Sequence, residues 1–280
     1  MTLHERLAGA RAQLEAAGIA PAEAAIDVDV YARTILGWDR ARVITNHQAP
    51  VPPALEPRLT EWLERREHHE PTAYIVGVRE FWGLDFRVTP AVLIPRPETE
   101  LVVERTLALL RPDATSMADL GTGSGAIALA VASERPSLAI TAVDVSGEAL
   151  EIARRNAARL QLGNVRFERG SWFAPIAGRR FEVIAANPPY VARGDKYLAQ
   201  DVGRFEPEIA LIGGVTGLEA IEQIVAQASA HLRPGGWLIL EHGWTQAVAV
   251  RERLVRSGFA HVRSHADLSG HERVTEGSVP

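Results

Sequence analysis

The chain carries a glycine-rich turn, Asp119-Leu120-Gly121-Thr122-Gly123-Ser124-Gly125, between a predicted strand at Met117–Leu120 and a predicted helix at Ala126–Glu134. Glycine has no Cβ atom, so this turn can be tight and a ligand can approach its backbone and the N-terminus of the helix. The next predicted strand, Ala139–Val143, is followed by Asp144, and an acid about 20 residues beyond such a turn can bind a ribose diol. These features predict a cofactor that contains a nucleoside, and they fit both NAD(P) and S-adenosylmethionine.

Strands and helices continue to alternate after this turn. Alternation of this kind predicts an α/β fold with a mostly parallel, doubly wound sheet that has helices on both faces. The further predicted strands are Val165–Arg169, Phe181–Ala186 and Trp237–Glu241, and the further predicted helices are Gly147–Leu160, Leu218–Leu232 and Thr245–Ser257.

The spacing of the glycines favours S-adenosylmethionine over a dinucleotide. The pattern is Gly121-x-Gly123-x-Gly125, whereas the dinucleotide fingerprint is G-x-G-x-x-G. The carboxylate of Asp119 would repel a pyrophosphate, but it is compatible with a sulfonium cofactor that carries no phosphate. Trp172 follows the third predicted strand and is equally consistent with a place beside the adenine or in the hydrophobic core.

The predicted strand Phe181–Ala186 ends at the motif Asn187-Pro188-Pro189-Tyr190. The asparagine side chain offers one carbonyl acceptor and two N–H donors. The two prolines have a fixed φ and no N–H, so the loop is stiff and the carbonyls of Asn187 and Pro188 stay available, while Tyr190 supplies a flat wall. The motif predicts a site for a planar amino or amide group, and the alternative is an ordinary turn that ends a strand.

A rigid loop, Leu93-Ile94-Pro95-Arg96-Pro97-Glu98-Thr99-Glu100, precedes a helix predicted from Pro97 to Leu110. Proline and glutamate in the first turn are typical of a helix start. Arg96 lies between two prolines, so the loop can direct this side chain into a cleft.

The first seventy or so residues are predicted to be helical and separate. We assign residues 1–72 to an N-terminal helical domain, residues 73–92 to a β-hairpin linker with a turn at Trp82-Gly83, and residues 93–280 to a second domain. One predicted helix is capped by Thr2 and buries Leu3, Leu7, Ala10 and Leu14. A second begins at Pro21, carries Ile26, Val30 and Ile35 and stops at Gly37, and Pro52-Pro53 opens a third.

Composition restricts the classes of function. The formal charge is −5 and the pI is near 6.0, which disfavours a protein that binds nucleic acid by wrapping its phosphates. The chain has no cysteine, so a disulfide, a thiolate zinc site and a cysteine nucleophile are excluded. Neither a signal peptide nor an apolar stretch long enough to cross a bilayer is present, so we expect a cytoplasmic protein.

The sequence resembles the class I methyltransferases and, more closely and over nearly its full length, the peptide chain release factor N5-glutamine methyltransferase (HemK/PrmC) family. The glycine-rich turn is common to many methyltransferases, and Asn-Pro-Pro-Tyr is shared with adenine-N6 and other amide or amine methylases. Its combination with Ile-Pro-Arg-Pro-Glu-Thr-Glu is specific to the glutamine enzymes. The resemblance also includes Gly77-Val78-Arg79-Glu80-Phe81-Trp82, Arg204-Phe205-Glu206-Pro207, Glu241-His242-Gly243-Trp244 and Glu272-Arg273-Val274.

The resemblance implies a Rossmann-like fold with a mostly parallel, seven-stranded sheet, a substrate-recognition domain at residues 1–72 and a methyltransferase domain at residues 93–280. It implies that S-adenosylmethionine donates the methyl group and that the acceptor is the glutamine of the Gly-Gly-Gln loop of class-one release factors, which would support translation termination. The residues implied to hold this glutamine are Asn187, Pro188, Pro189 and Tyr190, with Arg96 as a further substrate-binding residue. The residues implied to contact the cofactor are Gly121, Thr122, Gly123, Ser124, Gly125, Asp144, Trp172 and Asn187.

Asn187 and Pro188 are the predicted catalytic residues. An amide nitrogen is a poor nucleophile because its lone pair is delocalised into the carbonyl. We expect the Asn187 side-chain oxygen and the Pro188 carbonyl to accept the two N–H bonds of this nitrogen and turn its lone pair toward the methyl group. No general base is required before transfer, so Glu98 and Glu100 receive no proton-transfer role.

Three alternatives remain open: glutamine methylation of a ribosomal protein, adenine-N6 methylation of nucleic acid, and a catalytically silent S-adenosylmethionine-binding module. The acidic balance argues against nucleic acid, and the intact Asn187-Pro188-Pro189-Tyr190 argues against the silent module. We expect a monomer that needs no metal and has no nucleic-acid or membrane partner.

Overall fold

The computed structural model describes residues 1–195 and 202–280. It divides into two compact units, Met1–Gly77 and Val78–Pro280. None of the helices in these described ranges combines the length and the apolar composition that a bilayer crossing requires.

The first unit is helical, as predicted. Thr2 begins the first helix with a reciprocal cap, since its hydroxyl accepts the Glu5 N–H at 3.2 Å and the Glu5 carboxylate accepts the Thr2 N–H at 2.8 Å. This helix buries Leu3, Leu7, Ala10 and Leu14, the residues that the spacing predicted. The helices of this unit are α1 (Leu3–Ala16), α2 (Pro21–Leu36), α3 (Arg40–Thr45), α4 (Glu56–Glu67) and α5 (Thr72–Val76).

The buried face of α2 differs from the prediction. We expected Ile26 on the inner face, but it is 64% exposed, whereas Val28 and Tyr31 are fully buried. An ion pair explains the difference, because Arg66 Nε of α4 donates to Asp27 Oδ2 at 2.7 Å and a charged position of α2 therefore faces inward. The short helices α3 and α5 were not predicted, and α4 begins after Pro52-Pro53, not at it.

The second unit begins with a β-hairpin of strands β1 (Val78–Phe81) and β2 (Leu84–Arg87). Its turn is Trp82-Gly83, as predicted, and both residues have positive φ, 54° and 69°, as a type I′ turn requires. The rings of Phe81 and Phe86 meet edge to face, with centroids 6.0 Å apart, inside the hydrophobic core of this unit. The observed hairpin spans residues 78–87 and is packed as part of the second unit, while residues 73–76 of the predicted linker lie in α5 of the first unit.

The remaining elements alternate between helices and strands. A 3₁₀ turn, Pro97–Thr99, leads into the first of them. They are α6 (Glu100–Leu109), β3 (Ser116–Leu120), α7 (Ala126–Glu134), β4 (Ala139–Asp144), α8 (Gly147–Arg159), β5 (Val165–Arg169), β6 (Phe181–Ala186), β7 (Val191–Ala192), α9 (Val202–Phe205), α10 (Glu208–Leu211), β8 (Ile212–Gly214), α11 (Glu219–Ala228), β9 (Leu232–Glu241), α12 (Ala247–Arg256), β10 (Ala260–Ala266) and β11 (Glu272–Ser278).

Within the described residues, the main sheet has seven strands in the order β10-β11-β9-β6-β3-β4-β5. The strands from β9 to β5 pair in parallel. Strand β11 pairs antiparallel with both of its neighbours, β9 and β10. The predicted α/β class and mostly parallel sheet are confirmed. The chain runs outward from β3 to β4 and β5 and then returns to β6 on the other side of β3. Ligands of such sheets bind at this reversal of strand order, beyond the carboxyl ends of the strands.

Apolar cores cover both faces of the sheet because successive strand residues point to opposite sides. Met117 of β3 packs with apolar residues of α6 and α7, whereas the next residue, Ala118, packs with those of α11 and α12. Helix α7 is buried from Ala126 to Ala132. The central strands and the helix that follows the glycine-rich turn are thus held from all sides.

Gly125 closes the glycine-rich turn at the start of α7. Its φ is +86°, and a Cβ atom placed there would lie 2.9 Å from Leu129 Cδ1 and 3.3 Å from Ala153 Cβ. Backbone conformation and available space therefore both demand glycine at this position.

We expect Gly125→Ala to lower the free energy of unfolding by about 1–3 kcal/mol, because an L-residue is strained at this φ and its methyl group meets Leu129. Urea denaturation measures the loss. Gly163→Ala is the matched control, since a Cβ atom at that position meets nothing within 4 Å. Equal stability of the two variants would contradict this account of the turn.

Candidate active site

A cavity of about 470 Å³ lies at the carboxyl edge of the parallel strands. Five of the residues implied to contact the cofactor line it: Gly121, Gly123, Asp144, Trp172 and Asn187. Residues outside the predicted set also line it, among them Val145–Ser146 just before α8 and Gln223 of α11. The structure therefore brings the glycine-rich turn, the acid and the Asn-Pro-Pro-Tyr loop to one space.

Thr122, Ser124 and Gly125 hold the turn and are not among the lining residues of this cavity. The Thr122 hydroxyl donates to Asp119 Oδ2 at 2.6 Å, and the Ser124 carbonyl accepts from Asn156 Nδ2 at 2.9 Å. Asn156 is fully buried and was not singled out in the sequence. Its role depends on neighbours that are distant in the chain, so no local pattern marks it.

Asp144 is held beside the cavity by backbone hydrogen bonds. Its Oδ2 accepts the Gly123 N–H at 2.8 Å and its Oδ1 accepts the Ser146 N–H at 2.9 Å. Burial raises the pKa of Asp144, and these hydrogen bonds act in the opposite direction. Each carboxylate oxygen has a second lone pair, so the group can still accept hydrogen bonds from a diol.

Trp172 forms one wall of the cavity in a strained backbone conformation, with φ of +46°. Its indole Nε1–H donates to Gln223 Oε1 at 3.1 Å, which fixes the ring. A Cβ atom on Gly121 would lie 3.5 Å from Trp172 Cζ3, an ordinary van der Waals contact, so the glycine-rich turn lies next to the ring. Of the two positions considered for Trp172, the structure shows it lining the cavity while also packing against the edge of the core.

The loop Asn187-Pro188-Pro189-Tyr190 is fixed by contacts on several sides. Asn187 Nδ2 donates to Thr99 Oγ1 at 3.1 Å, and the Tyr190 hydroxyl donates to Glu241 Oε1 at 3.2 Å. Gly213 lies so close that an added Cβ atom would be 2.4 Å from the Pro189 carbonyl oxygen. Asn187 and Pro189 border the first cavity, so the loop forms its rim.

A second cavity, of about 450 Å³, lies on the Tyr190 side of this loop. Leu93 and Ala210 line both cavities, so the two spaces adjoin. The polar and aromatic residues that line the second cavity are Arg96, Glu98, Tyr190, Asp195, Thr216, Glu241, Trp244, Thr245, Gln246 and Arg273. The loop thus separates the first cavity, bordered by Asp144 and Trp172, from the second, bordered by Arg96, Glu98 and Arg273.

Arg96 lines the second cavity but is also engaged in the fold. It forms an ion pair with Glu206, a buried residue whose Oε2 accepts the Ile94 N–H at 3.1 Å. Glu98 borders the same cavity, whereas Glu100 Oε1 accepts the Trp82 N–H at 2.9 Å and so anchors the hairpin. These contacts make the loop before α6 a rigid border of the site.

Two fully buried carboxyl groups lie at this edge of the sheet, Asp119 and Glu241. Burial raises the pKa of Asp119 to about 7, against hydrogen bonds from Thr122 and the Ala128 N–H. Burial also raises the pKa of Glu241 to about 7, against hydrogen bonds from Thr99 and Tyr190. Glu241 and Thr99 were not predicted as site residues, although Glu241 ends a predicted strand as Asp144 follows one. Among the described residues, no group of three or more acids and histidines is arranged to hold a metal ion.

Two family models match the chain. Residues 5–77 match the PrmC N-terminal domain, and residues 99–202 match the methyltransferase small domain. A release factor glutamine methyltransferase from Pseudomonas aeruginosa is 48% identical over 254 residues, which cover 91% of this chain and 92% of that protein. The chain belongs to the release factor glutamine methyltransferase family. The resemblance inferred from the motifs is confirmed, and the methyltransferase domain implies S-adenosylmethionine as the methyl donor.

Another member of the family and a solved structure agree with this assignment. The release factor glutamine methyltransferase of Vibrio cholerae is 41% identical, with 99% of this chain and 96% of that protein covered. The crystal structure of a methyltransferase from Pyrococcus furiosus is similar with a TM-score of 0.53 at 24% identity, covering 70% of this chain and 89% of that one. This likeness confirms the methyltransferase fold.

The raised pKa of Asp119 makes stability depend on pH. The folded state keeps the proton up to about pH 7, while the unfolded chain releases it near the ordinary aspartate pKa of 3.8. The stabilising contribution is therefore present at low pH and is lost as pH rises through 7, by at most about 1.4 kcal/mol per pH unit. We expect wild type to lose stability relative to Asp119→Asn between about pH 5 and pH 7. Urea denaturation of both cofactor-free proteins measures the difference, and parallel curves would contradict this assignment.

Proposed function

We propose that this protein transfers the methyl group of S-adenosylmethionine to the side-chain amide nitrogen (N5) of the glutamine in the Gly-Gly-Gln motif of class-one peptide chain release factors. The observation that carries the proposal is the position of Asn187-Pro188-Pro189-Tyr190 at the boundary of the two cavities. Family membership supports the same reaction. The product formed from the donor is S-adenosylhomocysteine.

The first cavity suits the donor. Asp144 accepts the ribose hydroxyls, the ring of Trp172 covers one face of the adenine, and the missing side chains at Gly121 and Gly123 let the methionine part approach the backbone. Thr122, Ser124 and Gly125 contribute by holding the turn. Asn187 lines the same cavity and would border the sulfonium of a bound donor, and the reaction requires no metal.

The acceptor amide is held by oxygen atoms of the loop. Because Asn187 Nδ2 already donates to Thr99, the side-chain oxygen of Asn187 is the atom directed to the substrate. This oxygen and the Pro188 carbonyl accept the two N–H bonds of the glutamine nitrogen. Pro189 and Tyr190 border its two sides, and Arg96 borders the acceptor space from the loop before α6.

Transfer proceeds in line. The nitrogen lone pair forms the N–C bond while the C–S bond breaks and its electron pair returns to sulfur, which becomes the neutral thioether of the product. The nitrogen gains positive charge as the bond forms, so the two oxygen acceptors bind the transition state more strongly than the ground state. The cationic amide then loses its extra proton to water, and Glu98 and Glu100 take no part.

We assign substrate recognition to the N-terminal domain, residues 1–72, and catalysis to residues 93–280. The protein acts in the cytoplasm as a monomer, with a release factor as its macromolecular partner and without direct contact with nucleic acid or membrane. The formal charge of −5 supports a protein substrate over a polyanion.

The test of the acceptor is incubation with labelled S-adenosylmethionine and, separately, with a release factor, its Gln-to-Ala variant, ribosomal proteins and DNA. We expect label only in the intact release factor. Label in DNA, or in the Gln-to-Ala variant, would overturn the assignment, and label in a ribosomal protein alone would move the substrate to the ribosome.

Removal of the key acceptor should abolish turnover. We expect Asn187→Ala to lower kcat on the release factor by about 10²-fold or more, because a hydrogen bond that strengthens in the transition state is lost. Cofactor affinity should fall only moderately. Asn164→Ala is the control, since Asn164 lies outside both cavities. An Asn187→Ala protein that retains turnover would disprove the mechanism.

Measurements of cofactor affinity test whether the adenine binds against Trp172 in the first cavity. We expect Trp172→Ala to weaken binding of S-adenosylmethionine by about 10- to 100-fold, since stacking of a base on an aromatic ring contributes about 1–3 kcal/mol. Isothermal titration calorimetry measures the change. Trp244→Ala removes a half-exposed tryptophan from the second cavity and should leave donor affinity unchanged. The reverse pattern would exchange the roles of the two cavities.

A further inference from the structure

The side-chain amide of Asn187 has two orientations of similar shape but opposite chemistry. With its oxygen toward the acceptor it accepts an N–H bond, whereas with its NH₂ group there it would oppose another N–H donor. The reaction proposed above, on which this inference rests, needs the first orientation only. The structure must therefore contain groups that distinguish the oxygen of this amide from its nitrogen.

Thr99 is the immediate neighbour of the amide. It ends the 3₁₀ turn Pro97–Thr99, is 4% exposed, and its Oγ1 accepts the Asn187 Nδ2–H at 3.1 Å. A hydroxyl can equally donate its own proton to an amide oxygen. Thr99 alone thus permits either orientation of Asn187, and the direction of its own O–H bond decides between them.

Glu241 determines that direction. Its carboxyl group is 1% exposed and receives the Tyr190 hydroxyl on Oε1 at 3.2 Å, and the Thr99 side chain lowers its pKa by acting as a hydrogen-bond donor. Above its pKa of about 7 this carboxyl group is ionised and only accepts hydrogen bonds, so the Thr99 proton points to Glu241 and the Thr99 lone pair is left for Asn187. If Thr99 turned its proton to Asn187 instead, a buried carboxylate would lose a donor, which is costly.

Sheet pairing keeps these groups together. Ala186 of β6 is paired with Leu240 of β9, so the next residues along the chain, Asn187 just after β6 and Glu241 at the end of β9, lie side by side. Glu98 and Arg273 face the same carboxyl group with opposite charge, and Glu98 favours its protonated form while Arg273 favours its ionised form. The contact between Asn187 and Thr99 joins residues 88 positions apart, and the contact between Tyr190 and Glu241 joins residues 51 positions apart.

We propose that Thr99 and Glu241 are positioning residues that hold the Asn187 amide with its oxygen toward the acceptor nitrogen. Neither touches the reacting atoms. Glu241 orders the hydroxyl of Thr99, Thr99 orders the amide of Asn187, and the same carboxylate fixes Tyr190 at the border of the second cavity. Glu241 thus sets both the orientation of the Asn187 amide and the position of the Tyr190 ring.

The test compares Thr99→Val with Thr99→Ser. Valine keeps the size of the side chain but cannot accept the Asn187 N–H, and we expect kcat on the release factor to fall by about 10- to 100-fold with cofactor affinity unchanged. Thr99→Ser restores the hydroxyl and should restore kcat. Thr106→Val is the matched control, because Thr106 lies in the helix that follows, is fully buried, and its hydroxyl has no hydrogen-bond partner among the described atoms. Equal losses in Thr99→Val and Thr106→Val, or no rescue by serine, would overturn the proposal.

A second measurement requires no turnover. The sequence contains four asparagines, Asn46, Asn156, Asn164 and Asn187, so selective ¹⁵N labelling of asparagine gives four side-chain amide pairs. The pair that disappears in Asn187→Ala identifies Asn187. We expect its hydrogen-bonded N–H to exchange slowly in wild type and Thr99→Ser, and faster in Thr99→Val. Unchanged exchange in Thr99→Val would overturn the proposal.

Glu241→Gln provides an independent variant should Thr99→Val fail to fold. Glutamine has the same shape but can donate to Thr99, so the Asn187 amide should populate both orientations. We expect two sets of Asn187 signals at about pH 8.5, where Glu241 of wild type, with its pKa of about 7, is ionised. A single wild-type set would contradict the proposal. If wild type methylates no release factor, the proposed function fails, whereas the exchange measurements still decide the role of Thr99 and Glu241.

Discussion

The pairing of three neighbouring strands is the constraint on which the site depends. In the parallel register, Leu120 of β3 lies beside Ala186 of β6, and Ala186 lies beside Leu240 of β9. The next residues along the chain are Gly121, Asn187 and Glu241, and the three lie together at the carboxyl edge of the sheet. Because side chains alternate between faces, a shift of one residue in either pairing would direct one of these groups to the wrong side. The cores on both faces prevent such a shift by burying the alternating apolar residues.

The carboxyl edge of the sheet carries two buried acids, each with one oxygen atom that lacks a hydrogen-bond partner among the described residues. Asp119 Oδ1 and Glu241 Oε2 have no hydrogen-bond partner among the described atoms, and burial raises the pKa of both groups to about 7. Burying such groups destabilises the fold, so they are expected where function requires them. Asp119 orders the glycine-rich turn beside the first cavity through Thr122. Glu241 holds the Asn-Pro-Pro-Tyr loop through Tyr190. Each cavity thus has its own buried acid.

Most of the central fold could be predicted because its signals are local. Strands Val165–Arg169 and Phe181–Ala186 and helix Ala126–Glu134 have the predicted boundaries, since apolar runs, turn residues and glycine mark them directly. Strands β10 and β11 were not located individually, because β10 has no fully buried residue and β11 buries the polar residues Thr275, Glu276 and Ser278, so neither shows an apolar run. The inner face of α2 was predicted wrongly at Ile26 for a related reason. The partner that selects this face, Arg66, lies 39 positions from Asp27 in the chain.

The sequence by itself determined the order of the central strands and helices from β3 to β6, the glycine-rich turn, the acid after the second strand and the stiff Asn-Pro-Pro-Tyr loop. Backbone conformation and side-chain periodicity are properties of neighbouring residues, so these features are readable without a partner. Tertiary structure alone decided which side chains meet. It packed Phe81 and Phe86 into the core, paired Arg96 with Glu206, and placed Thr99 and Glu241 around Asn187. These contacts join distant segments through strand register and burial, and no local pattern specifies them.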